Sequence, residues 1–432
     1  MKKNLYLFKT DIESFFMWKE RVKNLQAIWY DGRSDIIKDL PSALSPSKII
    51  IENTIAHRLL NLTGFTGETI EFTPLNKTKP IIKQTPSLAV LASNDTHVYL
   101  LKNIIFHLRD KIRTDSYTPT TKKENAKKAF ATIGIKSSTA PSPSTIAKKY
   151  DALLIANDWS TEEKYISQQF QKRKKPVICL QESVLDFGGN PYRMEWCDYP
   201  LVQGLYTIRN LKRDLFFLTG NPRYEHLSPK NNNKRNMAII NSNFTYGISE
   251  AFQMQWIEDI DSVLKKLHIN YKIAQHPRDT GNLRKYPVIA TNASVIHDTL
   301  STASLLITRF SSLIHECLAL GTPVIYYNPH KEKMGYDFNP DQKHLFLTQS
   351  KDDLYKAIVK IRNQNTEQDN FYYDYGMSQH GSSDHQASKR VADAIKFILA
   401  LPTHAFPISR QTQSSLRLAL QYQKVRLFSI KR

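Results

Sequence analysis

The stretch LLITRFSSLIHECLALGTPVIYYNP, Leu305 to Pro329, decides how the whole chain is read. Leu305–Ile307 is an apolar run of strand length, and Leu313, Ile314, Cys317, Leu318 and Leu320 then recur at helical spacing. Gly321 closes that helix, Pro323 forbids its continuation, and Val324–Tyr327 is a second β-rich run. The unit is βαβ, which belongs in a parallel sheet. At its turn, Arg309, Ser311 and Ser312 gather donors where a helix start follows a strand end, which predicts a phosphate or other anion site. Upstream, YKIAQHPRD (Tyr271 to Asp279) is another strand, ending in His276 and Arg278.

Working outward, Met237–Phe244 reads as a strand, Ser249–Leu267 as an amphipathic helix and Val288–Thr291 as a further strand; Asp352–Asn363 and His385–Leu401 read as helices. The first half has the same alternation. Asn4–Phe8, Ala27–Asp31, Lys48–Asn53, Leu88–Ser93, Asp151–Asp158 and Pro176–Ser183 are apolar runs, with helices predicted around Phe15–Leu25 and over Thr161–Lys175. Thr114–Ser144, rich in Lys, Thr, Ser and Pro, reads as a mobile loop around one short helix. Ser228–Asn236 is polar and lacks periodicity, so it marks a boundary. The expectation is an α/β protein of two Rossmann-like domains, residues 1–228 and 237–401, facing a cleft, with a basic tail at 402–432. For that tail two readings stay open: a helix lying on anionic lipid, or one packing back onto the domain.

The 432 residues suit two domains of roughly 200 each. Lys and Arg outnumber Asp and Glu 60 to 40, giving a formal charge of +20, so anionic partners are favoured. The three cysteines form no CxxC pair, which predicts a reducing compartment and no structural zinc. The N-terminal apolar run is broken by Lys9 and Asp11, and no run of membrane length is seen, so the expectation is a cytoplasmic protein. Carboxylates collect after the strand Pro176–Ser183, at Glu182 and Asp186, with Asp158 a weaker third; strand ends in open α/β sheets are where ligands bind. No Asp-x-Asp stands where a metal-nucleotide would need it, so no metal is implied.

The pairing of HPRD with TRFSSLIHECLALGTPVIYYNP resembles the donor-binding half of bacterial surface-polysaccharide transferases of the GT-B architecture. These include capsule and lipopolysaccharide sialyl- and Kdo-transferases and the CDP-glycerol glycerophosphotransferases. The resemblance runs from about Asp151 to Asp352, with TGNPRYEHL (Thr219 to Leu227) inside it. TRFSS stands where glycerophosphotransferases show an aspartate–tyrosine pair, a departure from that branch.

The resemblance implies a glycosyltransferase using a nucleotide-sugar co-substrate and no other cofactor, with a CMP-activated acidic sugar such as Kdo or sialic acid as the leading donor. His276 and Arg278 would face the donor phosphate or a sugar carboxylate, Ser311 and Ser312 would bind phosphate beside Arg309, and Glu316 would meet the ribose or base. Glu182 or Asp186 would take the acceptor hydroxyl proton, with His276 assisting departure of the nucleotide. The acceptor would be a glycan or lipid-linked glycan at the inner face of the plasma membrane. Transfer of a polyol phosphate from a CDP-linked donor is the alternative enzyme reading. A nucleic-acid-binding protein is the alternative of another class, disfavoured because Phe252, Trp256, Tyr326 and Tyr327 fall inside apolar runs and no nucleic-acid motif occurs.

Overall fold

The computed structural model describes residues 3–31, 34–52, 54–72, 74, 85–120, 124–183, 185, 192–229, 237–245, 249–276, 278–289, 295–338, 340–364, 384–401 and 415–430. The chain forms two compact units, Met1–Glu225 with Met377–Arg432, and His226–Gly376. Both are parallel sheets covered by helices.

In the first unit the strands are β1 (Asn4–Phe8), β2 (Leu25–Trp29), β3 (Lys48–Ile51), β4 (Glu68–Glu71), β5 (Ser87–Leu91), β6 (Arg113–Thr118), β7 (Ser137–Thr139), β8 (Ala152–Ile155), β9 (Val177–Leu180), β10 (Tyr199–Val202) and β11 (Leu215–Leu218). Their order is β4-β3-β1-β2-β11-β10-β9-β8-β5-β6-β7. Central strands bury both faces: Leu5 and Leu7 of β1 pack on one side, Tyr6 and Phe8 on the other. This is why they read as unbroken apolar runs.

The helices that matter below are α1 (Glu13–Arg21), α2 (Ser34–Leu44), α3 (Thr54–Asn61), α4 (Asp95–Leu108), α5 (Glu124–Thr132), α6 (Pro143–Lys149), α7 (Thr161–Gln171) and α8 (Leu205–Asn210). Thr114–Ser144 is therefore not a loop around one helix. It holds most of β6, α5, β7 and the start of α6. These strands escaped notice because RTDSYT and SST lie towards the sheet edge and carry no apolar run.

Two connections in this unit reverse direction between neighbouring strands. From β5 the chain passes through α4 to β6 on one side, and from β8 through α7 to β9 on the other. From β1 it passes through α1 to β2, while from β3 it passes through α3 to β4. Each reversal opens a crevice at the strands' carboxyl ends. The β1/β3 crevice is filled from within: the Glu52 carboxylate accepts the N–H groups of Lys9 (2.5 Å), Thr10 (2.9 Å) and Asp11 (3.3 Å), and the Thr10 hydroxyl.

The second unit contains β12 (Met237–Ser242), α9 (Gln253–Lys266), β13 (Asn270–Gln275), β14 (Val288–Ile289), α10 (Ile296–Ser301), β15 (Leu305–Thr308), α11 (Leu313–Ala319), β16 (Val324–Tyr327), β17 (Leu345–Thr348) and α12 (Lys351–Asn363). The strand order β14-β13-β12-β15-β16-β17 is the doubly wound 3-2-1-4-5-6 pattern. The apolar face of α9, with Trp256, Ile257, Ile260, Val263 and Leu264 buried, covers it. Gly321 ends α11 at φ +71°, the left-handed conformation that glycine adopts without strain.

The last helices do not follow the expected division. Helix α13 (Ala387–Ala400) belongs to the first unit, burying Val391, Ala394, Ile395 and Ile398 in its core. Arg390 donates from Nε to the Thr219 carbonyl at 2.7 Å, and Glu225 accepts the Ser388 N–H at 2.8 Å. Sequence order alone hid this return. Helix α14 (Ser415–Ile430) packs on α7, with Leu418 and Tyr422 buried and Tyr422 stacked on Tyr165 at 4.6 Å. Arg417, Lys424 and Arg426 stay exposed. Among the described residues no helix is long and apolar enough to cross a membrane.

Candidate functional site

In the second unit the reversal lies between β12 and β15: β12 leads through α9 to β13, and β15 through α11 to β16. Their carboxyl ends bring Asn243, the His276–Asp279 turn and the Arg309–Ser312 turn to one edge of the sheet. The Asn243 side chain donates to the Phe310 carbonyl at 2.7 Å, tying the β12 and β15 ends together. His276 donates its backbone N–H to the Ser242 carbonyl at 2.7 Å. Its Nδ1 accepts the Arg278 N–H at 3.1 Å, so in the neutral ring the proton sits on Nε2.

The pin of this turn is Asp279. Its carboxylate accepts from Ser242 Oγ (2.6 Å), Gln253 Nε2 (2.8 Å) and the N–H groups of Gly281 (3.0 Å) and Phe244 (3.2 Å). Burial pushes its pKa up, but these hydrogen bonds outweigh burial and hold it below the usual carboxylate range. A Cβ at Gly281 would stand 1.7 Å from Gln253 Oε1, so a side chain there would have to displace the Gln253 amide that donates to Asp279. From the sequence, HPRD offered His276 and Arg278 as its ligand groups; Asp279 is what fixes the turn.

Arg309 and Glu316 are placed differently from expectation. Arg309 is buried, pairs with Glu332 at 2.5 Å and lies 4.1 Å over the Phe244 ring, so its charge is spent internally. Glu316 is fully buried rather than turned to a ribose or base. It accepts from Ser312 Oγ at 3.3 Å, and His297 Nε2 lies 2.5 Å from its other oxygen. Helix α11 has seven residues, and its first turn bonds to itself: Leu313 N–H to Ser311 Oγ, Ile314 N–H to the Ser311 carbonyl, His315 N–H to the Ser312 carbonyl. Of the other residues expected to meet an anion, Arg278 is exposed, and His276, Ser311 and Ser312 are half-buried.

Beside Phe310, a cavity of about 550 Å³ opens at the ends of β16 and β17. Tyr326, Tyr336 and Phe338 wall it, and Lys331 and Lys333 stand on its rim. The Asn328 amide clamps the rim loop, donating to the Glu332 carbonyl (3.1 Å) and accepting its N–H (2.9 Å).

In the first unit, Glu182 lies at the β5/β8 crevice, as its strand-end position suggested. Nε2 of His97 lies 3.1 Å from Glu182 Oε2, and the Asn157 amide donates to that oxygen at 3.3 Å. Ser93 N–H points at His97 Nδ1 at 3.2 Å, and His97 Nε2 stands between Glu182 Oε2 and the Asn157 side-chain amide, 2.9 Å away. Burial raises the Glu182 carboxyl, but His97, the Arg223 charge and Asn157 win and hold it at about 2. So acidic a group is a weak base near neutral pH and a strong hydrogen-bond acceptor. This direction favours hydrogen-bond acceptance over proton abstraction at Glu182.

Asp186 lies outside the described residues. Asp158 is buried, accepts the Trp196 N–H at 2.8 Å, and has its pKa raised by burial; it holds a loop. His97 went unread because its only mark is its place at the start of α4, where Asn94 caps the helix by accepting its N–H. Among the described residues no cluster of three or more His, Cys, Asp or Glu could hold a metal.

No protein-family model and no curated protein matches this chain. Solved structures do. The UDP-GlcNAc 2-epimerase of Methanocaldococcus jannaschii, in complex with UDP-GlcNAc and UDP, aligns with TM-score 0.52 at 13% identity, covering 72% of this chain and 99% of its own. The S. aureus MnaA–UDP structure aligns with TM-score 0.52 at 11% identity, covering 74% and 98%. The glycotransferase of kitacinnamycin aligns with TM-score 0.51 at 13% identity, covering 73% and 100%. At such identities the likeness shows the fold, two Rossmann-like domains of the GT-B class.

Proposed function

We propose that this chain is a GT-B glycosyltransferase that moves a sugar from a nucleotide donor to a surface-glycan acceptor, with a CMP-activated acidic sugar as the leading donor. One observation carries the reading. HPRD and the Ser311–Ser312 pair occupy the ends of β13 and β15, flanking the reversal point of a 3-2-1-4-5-6 sheet, where such sheets take nucleotides. The nucleotide named in the epimerase and MnaA structures supports a nucleotide ligand, though it is UDP there.

In this reading Ser311, Ser312, His276 and Arg278 receive the donor phosphate, whose charge grows as the nucleotide leaves. The cavity beside Phe310, with Lys331 and Lys333 as well as Asp337 in its lining, would take the sugar. Glu182 orients the acceptor hydroxyl by accepting its hydrogen bond, and no metal is invoked. The exposed bases of α14 would hold the protein to anionic lipid at the inner membrane face.

Thermal shift with CMP, CDP, UDP and GDP tests the reading, with His276→Ala and Ser312→Ala alongside. Stabilisation by CMP that either substitution abolishes is the expected result. Preference for CDP would favour polyol-phosphate transfer, preference for UDP a neutral-sugar donor. No stabilisation by any of the four would overturn the nucleotide site.

A further inference from the structure

Glu316 connects the Ser312 hydroxyl to two imidazoles. Its carboxylate is fully buried, with Ser312 Oγ on Oε1 at 3.3 Å and His297 Nε2 on Oε2 at 2.5 Å. Beyond it, His297 Nδ1 lies 2.9 Å from His226 Nε2, and His226 is exposed. Ser312, Glu316, His297 and His226 thus form one hydrogen-bonded chain, from the serine proposed for phosphate to the surface of the second unit.

The chain has a direction. A buried carboxylate needs donors on both oxygens, so His297 presents Nε2–H to it. In the neutral ring Nδ1 then accepts, and the N–H of His226 fills that position. While Ser312 gives its O–H to Glu316, its lone pairs are what an incoming phosphate oxygen would meet. To bind phosphate the hydroxyl must turn, and Glu316 loses one of its donors. Leaving a buried carboxylate short of a donor is costly unless the remaining one is charge-assisted and well aligned. His297, oriented by His226, is a donor of that kind.

We propose that His297 is a positioning residue for Ser312, acting through Glu316, with His226 holding its ring; this rests on the nucleotide reading above. His297 makes release of the Ser312 hydroxyl tolerable and so sets nucleotide affinity without touching the nucleotide.

A double-mutant cycle tests this, using whichever of CMP, CDP, UDP and GDP stabilises the wild-type chain, with Kd measured by calorimetry and the ligand-free melting temperature recorded for each variant. His297→Ala is expected to raise Kd about tenfold. In a Ser312→Ala background the same change should raise it by less than about twofold, because the two act through one hydroxyl. His297→Gln, which keeps an N–H donor, should recover most of the affinity, and His226→Ala should raise Kd about twofold to threefold. In turnover, KM rises and kcat holds. Should His297→Ala fail to fold, His226→Ala runs the same cycle from an exposed position.

Additive losses, or a His297→Ala variant that binds like wild type, would overturn the relay and leave the nucleotide site standing. A wild-type chain that binds none of the four overturns both.

Discussion

The β12/β15 crevice of the second unit and the β5/β8 crevice of the first have the same topological origin and opposite chemistry. At β12/β15 the acids are turned inward as fasteners, Asp279 under its turn, Glu332 on Arg309 and Glu316 on His297. The groups proposed to meet a ligand there are donors: two serine hydroxyls, an imidazole and a guanidinium. At β5/β8 a carboxylate is instead held ionised, and the donors His97 and Asn157 are used up in holding it. Winding chooses where a ligand can lie. The choice of which polar groups are spent internally decides what sign of ligand it can be.

The largest expected effect strikes the fasteners. Arg309→Ala leaves Glu332 buried without its guanidinium and should cost about 3–5 kcal/mol of stability in chemical denaturation. The double change Arg309→Met, Glu332→Leu should restore much of it. If Arg309→Ala left stability intact and removed nucleotide binding alone, Arg309 would move from fastener to ligand group and the contrast would weaken.

Next is Glu182→Gln, expected to slow transfer on the order of 10²-fold while leaving nucleotide-induced thermal stabilisation unchanged. Loss of nucleotide binding in this variant would erase the division of chemistry between the crevices. Since Glu182 stays ionised down to about pH 2, its carboxylate should contribute no inflection to the pH–rate profile between pH 4 and 8.

Asp279→Asn should cost about 1–3 kcal/mol. The native pKa of Asp279 is below its unfolded value of about 3.9, so its contribution is complete above that pH and is lost as pH falls through the native pKa. Denaturation of wild type and variant between pH 3 and 7 should therefore converge towards the acid end; parallel curves would show that the turn is held otherwise.

The smallest effect concerns α14. Arg417→Glu with Lys424→Glu and Arg426→Glu should weaken sedimentation with phosphatidylserine vesicles, at about 1 kcal/mol per base, with little change in melting temperature. Deleting the helix is the poorer experiment, because Leu418 and Tyr422 are buried against α7. Unchanged vesicle binding would remove the membrane from the account.

Much of the second unit was legible because its signals are local. A βαβ unit with Gly321 and Pro323 as punctuation needs no distant information, and the serines and HPRD stand at strand ends by sequence position alone. The edge strands β6 and β7 were not legible, since pairing with a neighbour rather than an apolar pattern makes them strands. The return of α13 to the first unit depends on Arg390 meeting Thr219 and Ser388 meeting Glu225, contacts across more than 160 positions. The internal pairing of Arg309 and Glu316 was hidden for a related reason. A charged residue at a strand end suggests a ligand until its partner, Glu332 or His297, is seen to hold it.

The crevice at β1/β3 supplies a last consequence. Its three amide N–H groups and one hydroxyl already hold an anion, the carboxylate of Glu52, which is covalently part of the chain. A tethered group of this kind competes at an effective concentration that for short flexible linkers is of millimolar order. Free phosphate or nucleotide has to outcompete that tethered group to bind there. The strands β1–β4 thus carry a turn of ligand-binding form whose donors are already held by a carboxylate of the chain itself.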